Sequence, residues 1–254
     1  ICLIAFTGSV EIGKKIALLT SYKRLILELG GNDPIIVMED ADLERAASLA
    51  ARGSYKNSGQ RCTAIKRILV EKQIAKRFTE LLIEKTSEWK IGDPMNIESD
   101  IRTLIDERAA KSCEQRVNAA ISQGAQLLYG HQRDGAAYMP TILSCVDPKM
   151  EIVQSETFGP VSPIIEFHGI DQAIAIANCT NYGLSSAICT NQLTYITKFI
   201  QCLDVGSINV WEVPGFRLEN TPFGGIKNSG LGVKEGIQES MKNFTNTKTY
   251  SFPW

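Results

Sequence analysis

The sequence lacks the features that mark several broad classes of protein. Lysine and arginine number 27 against 28 aspartates and glutamates, so no basic excess favours nucleic acid or an anionic membrane surface as a partner. The longest apolar runs are far too short to span a bilayer. Only two histidines occur, His131 and His168, so neither a zinc site nor a histidine-based nucleophile pair is expected. The seven cysteines include no Cys-x-x-Cys pair, which favours reduced thiols and predicts a cytoplasmic protein.

Apolar and polar segments alternate in a way that is typical of α/β layers with parallel strands. Short apolar runs predict strands at 2–6, 24–29, 35–38, 68–70, 161–167, 185–190 and 207–210, followed by a polar alternating strand at 247–252. Helical spacing predicts helices at 10–20, after Asp42, at 74–89, 107–124, 171–178, 193–202 and 233–244. The chain opens on an apolar strand with no preceding methionine, so we expect it to be the C-terminal half of a longer protein.

Two residues carry the clearest chemistry. Glu28 ends a predicted strand before two glycines, and Cys62 follows the turn Asn57-Ser58-Gly59-Gln60-Arg61. A thiol and a carboxylate in such settings suggest attack on a carbonyl followed by base-assisted hydrolysis. The backbone N–H of Cys62, in a turn near a helix start, is expected to favour the thiolate and to donate to an oxyanion. Taken alone, a buried structural cysteine and a solvated glutamate remain open alternatives.

Two further segments suggest a nucleotide site. Residues 6–13 read as a strand-to-helix turn, and the free N–H groups of a helix start attract phosphate, although an ordinary cap by Ser9 would give the same pattern. The second segment is Glu156-Thr157-Phe158-Gly159-Pro160, which alone is equally compatible with a Gly-Pro turn beside a core aromatic.

These segments, in this order, resemble the aldehyde dehydrogenase family, and the resemblance runs from Phe6 to Tyr250. Asn209 and the segment from Pro222 to Gly230 extend it. It implies an enzyme that oxidises an aldehyde with NAD or NADP through a thioester on Cys62, with Glu28 as the base that releases the acid. The cofactor residues that it implies are Gly8, Ser9, Leu29, Glu156 and Phe158.

The resemblance also implies a domain organisation within an α/β fold. Residues 1–30 correspond to the end of a Rossmann-type dinucleotide-binding domain, and residues 31–230 to the catalytic domain. A helix at 231–244 returns toward the cofactor domain, and residues 245–254 form an oligomerisation strand. Because an unpaired edge strand is an association site, a homodimer or homotetramer is expected. Half of such an enzyme is expected to be inactive alone.

Arg61 and Arg217 suggest an anionic substrate. Arg61 precedes Cys62, and Arg217 lies in the loop before Pro222, where the family places substrate-contacting side chains. Two guanidinium groups suit a dianionic head group, with surface ion pairs as the alternative. The stretches 55–67 and 244–250 are similar to those of phosphonoacetaldehyde dehydrogenases, and non-phosphorylating glyceraldehyde-3-phosphate dehydrogenases share Gln-Arg-Cys-Thr-Ala.

Two functions of other classes stay open at this point. A half-length chain that has lost its cofactor domain would serve as an inactive interaction or structural module. A chain that keeps Cys62 and Glu28 without a cofactor would act as a cysteine esterase.

Overall fold

The computed structural model of the chain describes residues 1–253, so Trp254, the last residue of the predicted oligomerisation strand, lies outside the described residues. The strands are β1 (Leu3–Thr7), β2 (Arg24–Glu28), β3 (Asp33–Val37), β4 (Ile65–Glu71), β5 (Gln126–Tyr129), β6 (Arg133–Asp134), β7 (Ala137–Tyr138), β8 (Thr141–Ser144), β9 (Val161–Phe167), β10 (Tyr182–Gly183), β11 (Ser185–Cys189), β12 (Ser207–Val210) and β13 (Ile226–Lys227). The helices are α1 (Val10–Leu19), α2 (Leu43–Tyr55), α3 (Lys72–Ser87), α4 (Glu107–Ser122), α5 (Glu151–Gln154), α6 (Gly169–Asn178), α7 (Leu193–Cys202) and α8 (Ile237–Phe244), and a 3-10 turn spans Lys56–Gly59.

A seven-stranded sheet organises the larger part of the chain. Its strands lie in the order β12-β11-β3-β4-β9-β8-β5, and neighbours are parallel except for the antiparallel pair β5 and β8. This confirms the predicted α/β fold. The strands β5 and β8, and the small pairs β6-β7 and β10-β13, were not predicted, because they are short and carry no long apolar run.

The core lies on both faces of this sheet, as expected for parallel strands covered by helices. In β3, Ile36 and the following Met38 join one apolar cluster, which includes residues of α4, α6 and α7. Ile35 and Val37 point the other way and join a second cluster with α2 and α3. The alternation of side chains along β3 therefore fixes which helices cover each face.

The first thirty residues form a separate small sheet. β1 and β2 pair in parallel across α1, whose N-cap is the side chain of Ser9. Leu18 and Leu19, at the end of α1, are 85% and 84% exposed, so this layer presents apolar surface to solvent. This arrangement suits the predicted remnant of a dinucleotide-binding domain, and that assignment of residues 1–30 stays a prediction.

Several helices begin or end at residues other than those predicted. Helix α3 ends at Ser87, before the predicted stop at residues 92–94, and Trp89 instead packs edge-on against the ring of Tyr55 at 5.8 Å. The last helix starts at Ile237, because residues 223–235 are held in an antiparallel bridge between Phe223 and Glu235.

The predicted strand at 247–252 is wrong for the single chain, which has no strand there. A strand requires a neighbouring strand to pair its backbone groups, and the strand predicted here is one that pairs with a partner subunit. The carbonyl of Thr245, just after α8, accepts a hydrogen bond from Arg24 of β2 at 3.0 Å. The return of residues 231–244 toward the cofactor domain stays a prediction. Within residues 1–253, no helix has the length and apolar character needed to cross a membrane.

Candidate active site

Cys62 follows a turn with unusual backbone angles. Asn57 and Ser58 have φ values of 57° and 53°, in the left-handed region that non-glycine residues rarely adopt. The Ser58 hydroxyl accepts from the N–H of Arg102 at 3.1 Å and donates to its carbonyl at 3.0 Å, which holds the turn. The Gln60 side chain accepts from the N–H of Ile105 at 2.8 Å. Contacts from residues 102–105 therefore fix the turn that presents Cys62.

A cavity of about 700 Å³ contains almost all of the predicted site residues. It is lined by Thr7, Gly8, Ser9, Glu28, Leu29, Gly30, Gln60, Arg61, Cys62, Thr63, Glu156 and Phe158. The thiol and the carboxylate, which are distant in sequence, thus face the same cavity, together with the start of α1 and the Glu156 segment.

The expected thiolate at Cys62 is not what the structure supports. Burial first, and then the carboxylates of Glu28, Asp33 and Glu156, raise the pKa of the Cys62 thiol to about 11, and the N–H of Thr63 opposes that rise. The local turn therefore does not outweigh burial and the surrounding negative charge. At neutral pH the resting side chain is a thiol that must be deprotonated before it can attack.

Glu28 is buried at the end of β2, where burial and a neighbouring cation act on its carboxyl in opposite directions. Burial raises the pKa of the Glu28 carboxyl, and Lys234 opposes that rise. The Lys234 ammonium lies 2.7 Å from Oε2 of Glu28, with the two side chains 4% and 7% exposed. Within the described residues, neither oxygen of Glu28 accepts an aligned hydrogen bond. Oε2 is therefore held by the ion pair, and Oε1 is the oxygen left for a water molecule or a substrate hydroxyl.

Glu156 lies across the cavity and is held by backbone. One oxygen accepts from the N–H of Gly31 at 3.1 Å, and a Cβ at Gly30 would collide with the other. Burial raises the pKa of the Glu156 carboxyl, and the Gly31 N–H and nearby Lys66 lower it. The ring of Phe158 is 46% exposed beside the cavity. A carboxylate with accessible lone pairs next to an exposed aromatic ring fits a ribose and a flat heterocycle.

The start of α1 forms the opposite wall. The Ser9 hydroxyl accepts from the N–H of Ile12 at 3.4 Å, and the N–H of Gly8 donates to the carbonyl of Glu28 at 3.0 Å. Gly8 therefore ties the helix start to the residue that carries the candidate base. The remaining N–H groups of the first turn point along the helix axis and favour an anionic ligand.

Arg61 lines the cavity, but part of its guanidinium group is used by the turn. Its Nε donates to the carbonyl of Lys56 at 3.1 Å and its Nη2 to that of Gly53 at 2.7 Å. Its Nη1 lies 3.7 Å from where a Cβ at Gly215 would stand. Arg61 thus braces the turn and keeps Nη1 for an acceptor, as far as the described residues show.

Arg217 does not join this site. Its guanidinium forms an ion pair with Glu235 and lies over the Phe223 ring, 4.5 Å from its centre. It lines a different cavity of about 400 Å³ with Leu218, Glu219, Thr221, Glu235 and Gly236. The pairing of Arg61 and Arg217 on one substrate is therefore corrected: the charge of Glu235 holds Arg217 elsewhere.

Two buried lysines were missed by sequence reasoning. Lys66 is 2% exposed and donates to the carbonyls of Gly59 and Gly159, so it joins the Cys62 turn to the Glu156 segment. Burial lowers its pKa to about 8. Lys234 is the second. Lysines are rarely buried, and the only sequence signal was the apolar run around Lys66.

Within residues 1–253, no group of three or more His, Cys, Asp or Glu side chains is placed to hold a metal ion.

Comparison with known proteins identifies this arrangement. The sequence matches the aldehyde dehydrogenase family over residues 1–250. Sulfoacetaldehyde dehydrogenase from Neptuniibacter caesariensis is 41% identical over 246 residues, which cover 97% of this chain and 54% of that protein. Lactaldehyde dehydrogenase from Methanocaldococcus jannaschii is 40% identical over 247 residues, covering 97% and 53%.

The fold agrees with solved structures of this kind. The crystal structure of glyceraldehyde-3-phosphate dehydrogenase GapN from Methanocaldococcus jannaschii, complexed with NADP, superposes with a TM-score of 0.94 and 40% identity, covering 97% of this chain and 53% of that one. The chain spans about half the length of the curated relatives it matches. From the family match and the shared fold, the chain belongs to the aldehyde dehydrogenase family.

Proposed function

We propose that residues 1–254 supply the catalytic half of an enzyme that oxidises a short anionic aldehyde to the carboxylic acid with NAD or NADP. The observation that carries this proposal is the meeting of Cys62, Glu28 and Glu156 in one cavity with the start of α1. The NADP held by the M. jannaschii structure supports the cofactor assignment. Residues 1–30 would belong to the cofactor domain and 31–230 to the catalytic domain.

In this proposal Cys62 forms the only covalent bond to the substrate. The thiol gives its proton to water or to a carboxylate that faces it, such as Glu28, and its sulfur adds to the aldehyde carbon while the carbonyl oxygen takes the negative charge. When bound, the oxidised nicotinamide supplies a cationic ring that accepts the hydride from that carbon, which leaves a thioester on Cys62. Glu28 then removes a proton from water as it attacks the thioester, and the acid and the thiol are released.

The residues around the cavity fit the nicotinamide side of the cofactor. Glu156 offers carboxylate oxygens to ribose hydroxyls, and Phe158 offers a ring face. Gly8 and Ser9 place the positive end of α1 where a pyrophosphate would be bound. Leu29, which is 5% exposed, forms an apolar part of the cavity wall.

The substrate class rests on Arg61 and on the relatives. Sulfoacetaldehyde and phosphonoacetaldehyde share a two-carbon aldehyde with an anionic head, and a single guanidinium edge suits either. We therefore propose sulfoacetaldehyde or phosphonoacetaldehyde as substrate, with glyceraldehyde 3-phosphate as the larger anionic alternative. The test is NADH or NADPH formation by the longest natural polypeptide containing residues 1–254, with lactaldehyde as the uncharged comparison. Hydrolysis of p-nitrophenyl acetate without any aldehyde oxidation would instead favour a cysteine esterase.

Replacing Arg61 with methionine is expected to lower kcat/KM for sulfoacetaldehyde and phosphonoacetaldehyde by about ten- to a hundredfold, since a hydrogen bond to a charged group contributes about 1.5–3 kcal/mol. The value for lactaldehyde should fall by no more than about threefold, because lactaldehyde carries no anion to lose that bond. Arg217→Met is the matched control, since Arg217 lines another cavity. Equal losses for all three aldehydes would mean that Arg61 only braces the turn, and a selective loss in Arg217→Met would reverse the assignment.

The isolated 254-residue chain is expected to bind NAD with a Kd above about 1 mM, a binding free energy weaker than about −4 kcal/mol. Its small sheet contains only β1 and β2 among the described residues, and α1 exposes Leu18 and Leu19. Few groups therefore remain to enclose a dinucleotide. Calorimetry with NAD measures this, and micromolar binding with ordinary turnover would show that the 254 residues suffice.

Self-association through the C-terminal segment remains part of the proposal. Along α8, Ile237, Met241 and Phe244 are 58%, 64% and 59% exposed, so the helix turns an apolar face outward. An exposed apolar face of this kind supports a homodimer or homotetramer.

A further inference from the structure

The buried ion pair between Glu28 and Lys234 is built by the backbone around it. Leu29 donates its N–H to the carbonyl of Ser229 at 3.0 Å, and Glu28 and Gly230 form an antiparallel bridge. The N–H of Lys234 donates to the carbonyl of Phe223 at 3.0 Å. These bonds lay the segment that carries Lys234 along the strand that carries Glu28.

Gly230 makes the close approach of the ammonium possible. Its φ is 157°, and a Cβ there would lie 2.8 Å from Nζ of Lys234 and 2.5 Å from the carbonyl oxygen of Leu27. A side chain at this position would therefore push the lysine away from Glu28. Nζ of Lys234 also donates to the carbonyl of Gly232 at 3.3 Å, which holds the ammonium in place.

We propose that Lys234 is a positioning residue that keeps the Glu28 carboxylate ionised and, by pairing with Oε2, leaves Oε1 for the attacking water. This rests on the proposed function, in which Glu28 is the base. An acid buried as deeply as Glu28 stays protonated at neutral pH unless a cation faces it, and a protonated acid cannot accept a proton. Lys234 is the buried cation next to it.

The other charges that face Glu28 do not replace Lys234. Among the influences on Glu28, burial is the largest and raises its pKa, Lys234 lowers it, Glu235 raises it and Arg217 lowers it. Arg217 and Glu235 are 45% and 35% exposed and neutralise each other as an ion pair, so solvent screens both. The Cys62 thiol also faces Glu28, and it is uncharged at neutral pH. Removal of Lys234 therefore leaves the effect of burial on the pKa of Glu28 opposed only by the solvent-screened charge of Arg217.

The direction in which removal of Lys234 shifts the pH dependence of turnover follows from the charge of Glu28. The base is active when ionised, so turnover limited by hydrolysis rises as pH passes upward through the pKa of Glu28. In Lys234→Met, which keeps the length and loses the charge, that rise is expected to move up by about one pH unit or more. The pre-steady-state burst of NADH should keep its amplitude, while turnover at neutral pH falls about tenfold or more. In Lys234→Arg the charge is kept, so the rise should stay within about 0.3 unit of the wild type.

The deciding measurement is infrared spectroscopy of the full-length protein at neutral pH, because it requires no activity. Lys234→Met should show a new band of a protonated carboxylic acid relative to the wild type, and that new band should be absent from Lys234→Met combined with Glu28→Gln, which has no carboxyl at position 28 to protonate. Absence of the band in folded Lys234→Met overturns the proposal, as does the band appearing equally in Lys234→Arg. If Lys234→Met does not fold, a Glu28 band in Lys234→Arg overturns the proposal, and its absence with an unmoved pH profile supports it. A wild type that shows the expected infrared pattern but oxidises no aldehyde would refute only the proposed function.

Discussion

Replacing Cys62 with serine is expected to lower aldehyde oxidation by at least about 10⁴-fold, because removing the nucleophile of a covalent enzyme typically costs this much or more. The serine hydroxyl is a far weaker nucleophile than a thiolate. The folding of the variant should be preserved, since serine is nearly isosteric and Cys62 is only partly buried. NADH formation by the full-length protein is the measurement.

The exposed Cys179 provides the matched control for this substitution. Cys179→Ser should retain activity within about twofold of the wild type, as expected for a surface position. Loss of activity in Cys179→Ser together with retention in Cys62→Ser would place the nucleophile elsewhere and would remove the basis of the proposed mechanism.

The raised pKa of Cys62 shapes how this thiol should react with alkylating agents. With a pKa of about 11, only about one part in 10⁴ is thiolate at pH 7. In the absence of cofactor, iodoacetamide should therefore modify the exposed cysteines before Cys62; these are Cys2, Cys145, Cys179 and Cys202. Alkylation of Cys62 should accelerate about tenfold per pH unit as the pH rises toward that pKa. Peptide mass spectrometry after limited labelling distinguishes this order from preferential labelling of Cys62.

The sequence predicts this fold well wherever a local signal repeats. The helices α2 and α7 and the strands β9 and β12 agree with periodic apolar patterns, and Asp42 caps α2 by accepting from the N–H of Arg45. Capping and side-chain period are properties of a few neighbouring residues, so a sequence reveals them. The strand at 247–252 failed because pairing depends on a distant partner.

In the candidate site, too, features set by neighbouring residues were easier to predict than features set by residues distant in sequence. The glycine-bearing segments around Glu28 and Cys62 singled out two residues that line the same cavity, and their catalytic roles stay predictions. The position of Arg217 depends on Glu235 and Phe223, which its own loop does not reveal. The pKa of Cys62 depends on carboxylates contributed by three separate segments, and the role of Lys234 depends on a backbone pairing far along the chain. Electrostatics of this kind follow from the tertiary structure alone.

Replacing Glu28 with glutamine is expected to separate the two halves of the reaction. Glutamine keeps the shape of the side chain and cannot accept a proton, so thioester hydrolysis should slow by about 10²–10⁴-fold, the usual contribution of a general base. Attack by Cys62 and hydride transfer precede hydrolysis, so a burst of NADH close to one equivalent per active site should persist. Rapid mixing of the variant with aldehyde and NAD measures the burst and the slow turnover in one trace.

The two possible failures of this experiment have different meanings. Because the Cys62 thiol is protonated at rest, some group must take its proton, and Glu28 is one of the carboxylates that face it. If the burst disappears together with turnover, Glu28 is required to deprotonate Cys62 and acts before the thioester forms. If both the burst and turnover remain near wild-type values, water is activated without Glu28, and the carboxylate serves only to balance the buried charge of Lys234. A retained burst with slow turnover assigns Glu28 to hydrolysis, in which Oε1, the oxygen not paired with Lys234, would bind the attacking water.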